Sequence, residues 1–173
     1  MVSDAAESVA RMSRLVRTNV SALINRADDP EAAFDRLLAE FTENIDEAEQ
    51  AIAQTVGGLR LLEDDLREAR ADESEWGDRA NAALRKAGPL RAQGQAAEAD
   101  RSDELARLAF RRQAGLARSA TTMAQQVTEQ SQLSDQLRVG LDRLRMKREV
   151  LLRSRAELAG RSGAAEAHGR RRR

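Results

Sequence analysis

An N-terminal amphipathic helix followed by a long antiparallel coiled-coil helical hairpin, all-α throughout, is the fold this sequence predicts. Three observations lead there. The 173 residues are 34% charged and 2% aromatic, with no Cys, no Tyr and only two Pro, a composition that disfavours sheet and suits long solvated helices. From Phe34 onward the apolar residues keep a 4-3-4-3 spacing over seven heptads, the period of a coiled-coil seam. A single Gly88-Pro89 pair interrupts that pattern in mid-chain, where a long helix would turn back on itself.

Residues 2 to 24 carry Val2, Ala5, Val9, Met12, Val16, Val20 and Leu23 on one helical face, with Arg11, Arg14 and Arg17 on its flanks. A basic helix with a thin apolar stripe and no large aromatic side chain is suited to lying on a membrane surface. The same stripe would equally suit packing on a neighbouring helix or another subunit, and the pattern alone leaves both readings open. With each Arg near an anionic surface worth about 1 kcal/mol, a single copy should bind reversibly, and strong attachment would need many copies.

The first helix is separated from the hairpin by "RADDPE". Asp29 is placed to cap the next helix and Pro30 to occupy its first position, where a missing N–H costs nothing. The first arm is expected over residues 30 to 87, about 87 Å at roughly 1.5 Å per residue. Its seam runs through Phe34, Leu38, Phe41, Ile45, Ala48, Ile52, Thr55, Leu59, Leu62, Leu66, Ala69, Glu73, Trp76, Ala80 and Ala83, of which thirteen are apolar. Trp76, the only Trp, falls on the seam and is expected to pack there. A tip over residues 88 to 102 should be loop or frayed helix.

The second arm, about 103 to 158, repeats the heptad less cleanly through Ala106, Ala109, Gln113, Leu116, Ala120, Met123, Val127, Gln130, Ser134, Leu137, Leu141, Leu144, Arg148, Leu151, Arg155 and Leu158. Its polar middle, "QQVTEQSQLSDQ", would face Gly57-Gly58 of the first arm. Both arms would then be weak at one height, unless the glycines merely face outward. The stretch from 160 to 173 has no apolar period and is expected to be disordered and basic.

Net charge is zero overall, but residues 1 to 27 carry +2, 28 to 76 carry −12 and 77 to 173 carry +10. An acidic arm followed by a basic one favours folding back. No run of 18 apolar residues exists to span a bilayer. Asp4 and Glu7 break the apolar core that a signal peptide requires. A cytoplasmic protein touching the inner face of the membrane is the expectation.

Chemistry-bearing motifs are absent. There is no phosphate loop of the G-x-x-x-x-G-K-S/T type, and the single histidine, His168, has neither Cys nor a cluster of acids beside it. Neither a cofactor nor a metal is expected, and no enzyme. The terminal arginines lack interleaved aromatic residues, which argues against specific nucleic-acid recognition.

"RLVRTNVSALINRADDPEAAFDRLLAEF", "ESEWGDRANAALRKA" and "DELARLAF" together resemble the phage shock protein A family, which includes the vesicle-inducing protein of plastids. The match covers about residues 11 to 118, with the family's acidic-Asp-Pro junction at Asp28-Asp29-Pro30 and its Glu-Trp pair at Glu75-Trp76. The resemblance implies a bacterial relative of the ESCRT-III membrane-remodelling proteins. Such a protein would bind anionic membrane through its first helix, assemble as a homo-oligomer through its hairpin, and protect the envelope under stress. By position, the membrane contacts would be Val2, Val9, Arg11, Met12, Arg14, Val16, Arg17 and Val20. The assembly seam would include Phe34, Leu38, Phe41, Ile45, Ile52, Leu59, Leu66 and Trp76, with Asp29 and Pro30 as the junction.

The resemblance also implies a second role, restraint of an AAA+ transcriptional activator or another stress-response protein. A soluble regulatory coiled coil with little membrane action is the alternative. The tip reads as an insertion, the second arm as shortened, and the chain as a short member without the family's later helices.

Overall fold

The computed structural model describes residues 2–170, and the side-chain surroundings of 4–161. Four helices follow one another: α1 (Val2–Arg17), α2 (Val20–Asn25), α3 (Pro30–Ala92) and α4 (Ala96–Arg170). There is no strand among the described residues. The long helices α3 and α4 pack against each other as an antiparallel hairpin, and every first-arm seam position from Phe34 to Ala83 is buried or half-buried.

The helix expected over residues 2 to 24 is two helices. At its end Thr18 closes a tight turn, its N–H on the Leu15 carbonyl and its hydroxyl on that of Arg14. Asn19 then restarts the helix, its side-chain oxygen accepting the Ala22 N–H at 3.1 Å. An N-cap residue in mid-pattern satisfies a new set of orphan donors, and the chain breaks there. Asp29 caps α3 in the same way, accepting the Ala32 N–H at 3.1 Å.

The tip expected over 88 to 102 shrinks to Gln93–Gln95, because its Ala-, Arg- and Gln-rich flanks are good helix formers. Pro89 sits inside α3. The residue before it is Gly88, whose missing Cβ relieves the clash that normally ends a helix there. Gly94, at φ +78°, makes the turn. Its N–H reaches the Arg91 carbonyl at 3.0 Å and that of Gln95 reaches Leu90 at 2.9 Å, the paired bonds of a Schellman cap. Arg91 then pairs with Asp103 across the turn. Residues expected to be disordered from 160 are helical as far as Arg170, and 171 to 173 lie outside the described residues.

The chain's contacts divide into two units, one of residues 1–56 and 132–173, the other Gly57–Ser131. In the first, α1 and α2 join the hairpin, and the core is correspondingly bulky: Phe41, Leu137, Leu144 and Leu151 are fully buried. Polar groups edge this core. Arg148 Nε donates to Thr42 Oγ1 at 3.0 Å, and that hydroxyl donates to the Leu38 carbonyl at 2.8 Å. Arg155, expected in the seam, is exposed and grips Asp35 with its Nε at 2.5 Å and a terminal nitrogen at 3.2 Å. Its charge is better satisfied by a carboxylate at the rim than by a seam position.

The second unit is a two-helix pair with an alanine seam. Ala80, Ala87, Ala99, Ala106, Ala109 and Ala120 are buried, with Leu66 the one large residue so enclosed. Small side chains let two helices approach closely. Where Gly77 meets α4, a Cβ would lie 2.7 Å from Gln113 Nε2. Trp76 is half-buried here and carries the Arg79 guanidinium 4.8 Å from its ring centroid, a cation–π contact.

Gly57 and Gly58 lie inside α3 with open space where a Cβ would stand. Gly57→Ala and Gly58→Ala should therefore each stabilise the helix by about 1 kcal/mol. Gly94→Ala should cost roughly 1–2 kcal/mol through its left-handed backbone. Denaturant titration followed by far-UV circular dichroism checks the opposite signs.

Candidate membrane-contacting helix

The apolar stripe of α1 lies against the hairpin. Ala5, Met12 and Leu15 are buried, and Val9, Val16 and Val20 are half-buried against the cluster that contains Phe41, Ile45, Leu137, Leu141 and Leu144. Val2 falls on a side chain outside the described ones. Arg14 and Arg17 are exposed, while Arg11 pairs with Glu47 of α3 at 2.5 Å. Of the two readings the pattern left open for this stripe, the packed one is the arrangement seen here.

Three contacts hold the helix down, each with a different physical basis. Met12 sits over Gly140 of α4, where a Cβ would lie 2.9 Å from its Cε and 3.1 Å from its Sδ. The glycine is what admits a long side chain between two helices. Arg11 and Glu47 form an ion pair at the rim, half-exposed and of small worth by itself. Lys147 does more. Its Nζ donates to the carbonyls of Val16, Thr18 (2.6 Å) and Leu15 (3.5 Å).

These carbonyls lie at the C-terminal end of α1, where helical partners run out, though that of Leu15 also takes the Thr18 N–H, and a cation there complements the helix dipole. A lysine suits the task because its compact ammonium has three donors that can diverge, whereas a guanidinium is a planar fork. Burial lowers the Lys147 pKa from its usual value, the electrostatic cost of a charge drawn under the helix end. Beside it lies a cleft of about 360 Å³, lined in part by Thr18, Asn19, Ile24, Phe34, Lys147 and Val150.

Sequence reasoning picked out the stripe but missed Leu15, Gly140 and Lys147. Leu15 follows Met12 by three and so shares its face, but a strict 4-3 spacing skips it. Lys147 is one of only two lysines among 29 basic residues, an oddity that could have marked it. Gly140 had no legible signal, since its role depends on which helix crosses it.

No described helix is long and apolar enough to cross a membrane. Among the described residues no group of three or more His, Asp or Glu is placed to hold a metal ion. Fold and site together define an all-α hairpin protein with a basic amphipathic helix seated at its base. The PspA/IM30 family model matches residues 9–170, and the chain belongs to that family.

Among its relatives, the membrane-associated protein Vipp1 of Synechocystis is 27% identical over 158 residues, 91% of this chain and 54% of the relative. Chloroplastic VIPP1 of Arabidopsis thaliana is 28% identical over 73% of the chain and 34% of its own length. A phage shock protein A homolog of Deinococcus radiodurans is 28% identical over 91% of the chain and 64% of its own. The chain thus spans between about a third and two thirds of each.

The packing makes a specific demand on Gly140. In Gly140→Val the added side chain would take the place of Met12, at a cost of roughly 1–3 kcal/mol for overpacking. Hydrogen exchange should then speed up in α1, while amides around Phe41 keep their protection. Unchanged exchange in α1 would count against this contact.

Proposed function

We propose that this protein is a peripheral membrane protein of the phage-shock type, which binds anionic lipid through α1 on the inner face of the cytoplasmic membrane and self-assembles through its hairpin to stabilise or remodel the bilayer. The observation that carries the proposal is the make-up of α1: a stripe of Val9, Met12 and Val16 flanked by Arg11, Arg14 and Arg17, on a chain whose relatives are named membrane-associated proteins. The apolar stripe would enter the acyl boundary while the arginines meet the phosphates. Self-assembly would supply the many copies that make weak single contacts strong.

A regulatory coiled coil, restraining an AAA+ activator or pairing with a longer family member, is favoured by a different observation. The stripe of α1 is covered by its own hairpin, and such a protein needs no lipid.

Co-sedimentation with phosphatidylglycerol vesicles separates the two. Binding should fall with rising salt and with removal of residues 1 to 24. Replacing both Arg14 and Arg17 by Ser should weaken it about thirtyfold, from about 1 kcal/mol per arginine. Equal binding by the truncated protein would sink the membrane proposal, and a small oligomer indifferent to vesicles would support the regulatory one.

A further inference from the structure

We infer that α1 is a latch: the face that would enter lipid is the face docked on the hairpin, so membrane binding and docking compete for one surface. This rests on the membrane role proposed above and adds how that role is controlled. Among the described side chains of the docked helix, the exposed ones are Asp4, Ala6, Glu7, Ala10, Arg11, Arg14 and Arg17. None has a bulky apolar side chain, and two are acids. Among its described side chains, a helix in this state offers an anionic bilayer charge but no fully exposed bulky apolar residue. Burial in lipid requires Met12 to leave Gly140, Lys147 to release three carbonyls, and Glu47 to give up Arg11 to a phosphate.

Each of these hairpin contacts belongs to the docked state alone, so each lowers the fraction of protein competent to bind, and apparent affinity falls in proportion to that fraction. The ends of the competition are unlike. On the docked side the partners are a glycine notch, a half-buried ammonium and a carboxylate. On the membrane side they are acyl chains, water and phosphate, which replace the glycine notch, the ammonium and the carboxylate in turn. Anything that raises anionic charge or opens packing defects in the bilayer favours release, and the latch then converts a change in the membrane into exposure of α1.

The notch itself provides the test. A Cβ at Gly140 would lie 3.6 Å from Met12 Cβ, within the roughly 3.5–4.5 Å that a disulfide spans. The chain has no cysteine of its own. The double variant Met12→Cys, Gly140→Cys should oxidise readily and stay helical. Its oxidised form should lose binding to phosphatidylglycerol vesicles, and reductant should restore it.

Equal binding by the oxidised and reduced forms would overturn the latch while leaving the membrane role standing. Failure of the pair to oxidise would overturn the docked state itself. If neither the variant nor the unmodified protein binds in any form, the membrane role falls and the latch with it. Lys147→Met gives an independent check, because it removes a positive charge and should by electrostatics weaken attraction to anionic vesicles. The latch instead requires tighter binding, by about tenfold if docking ordinarily leaves a tenth of the protein competent; unchanged or weaker binding would count against it.

Discussion

One narrow seam between two very long helices is the constraint on which the rest of this structure depends. An antiparallel pair can bury only the residues that face its partner, two per heptad. How much that seam stabilises is then decided by side-chain size. In the unit Gly57–Ser131 the seam is mainly alanine, and the stretch leaves Leu61, Leu105 and Leu108 exposed. In the unit holding the chain's beginning, a third helix adds a further wall. Only there can Phe41, Leu137, Leu144 and Leu151 be fully enclosed. The seating of α1 therefore does two things at once, covering an apolar groove and completing the only bulky core the described chain has.

Charge follows the same geometry. The acidic first arm and basic second arm meet in rim pairs, Asp35 with Arg155 and Glu49 with Arg145 at 2.6 Å. Glu47, on the acidic arm, pairs instead with Arg11 of α1. Each such pair is half-exposed and contributes little alone. Their collective effect is on register, since sliding one helix along the other would set like charges together. The exception is Lys147, which is drawn inward to α1's carbonyls and serves as a helix cap.

Much of this was legible in the residues. The heptad from Phe34 to Ala83 maps position by position onto buried or half-buried sites, because a seam of period 3.5 is the one pattern a long helix pair cannot disguise. The contacts divide beside Gly57 and Ser131, although Gly57 and Gly58 stand off the seam, with open space where a Cβ would be. The turn is shorter than the Gly88-Pro89 pair suggests, since a proline preceded by glycine is far less disruptive than the usual rule assumes. The break at Asn19 was hidden because a good cap residue within an amphipathic pattern looks like any other polar position. Docking of α1 was undecidable from pattern: a stripe specifies that something apolar must cover it, and says nothing of whether that is protein or lipid.

That ambiguity has a physical root. A helix on a bilayer and a helix in a groove satisfy the same requirement, removal of apolar surface from water, and they differ in what meets the polar atoms at the edge. Lipid provides phosphates and water, which suit Arg11, Arg14 and Arg17 and any carbonyl that faces outward. The groove provides Glu47 for one arginine, Lys147 for the carbonyls of Leu15, Val16 and Thr18, and a glycine surface for Met12. Arg14 and Arg17 stay exposed in the docked state, so under the proposed membrane role they would meet an anionic surface before the stripe is released. Electrostatic attraction acts over about a Debye length, whereas apolar burial needs contact. Under that proposal, a docked helix with exposed arginines would approach a membrane first and commit to it second.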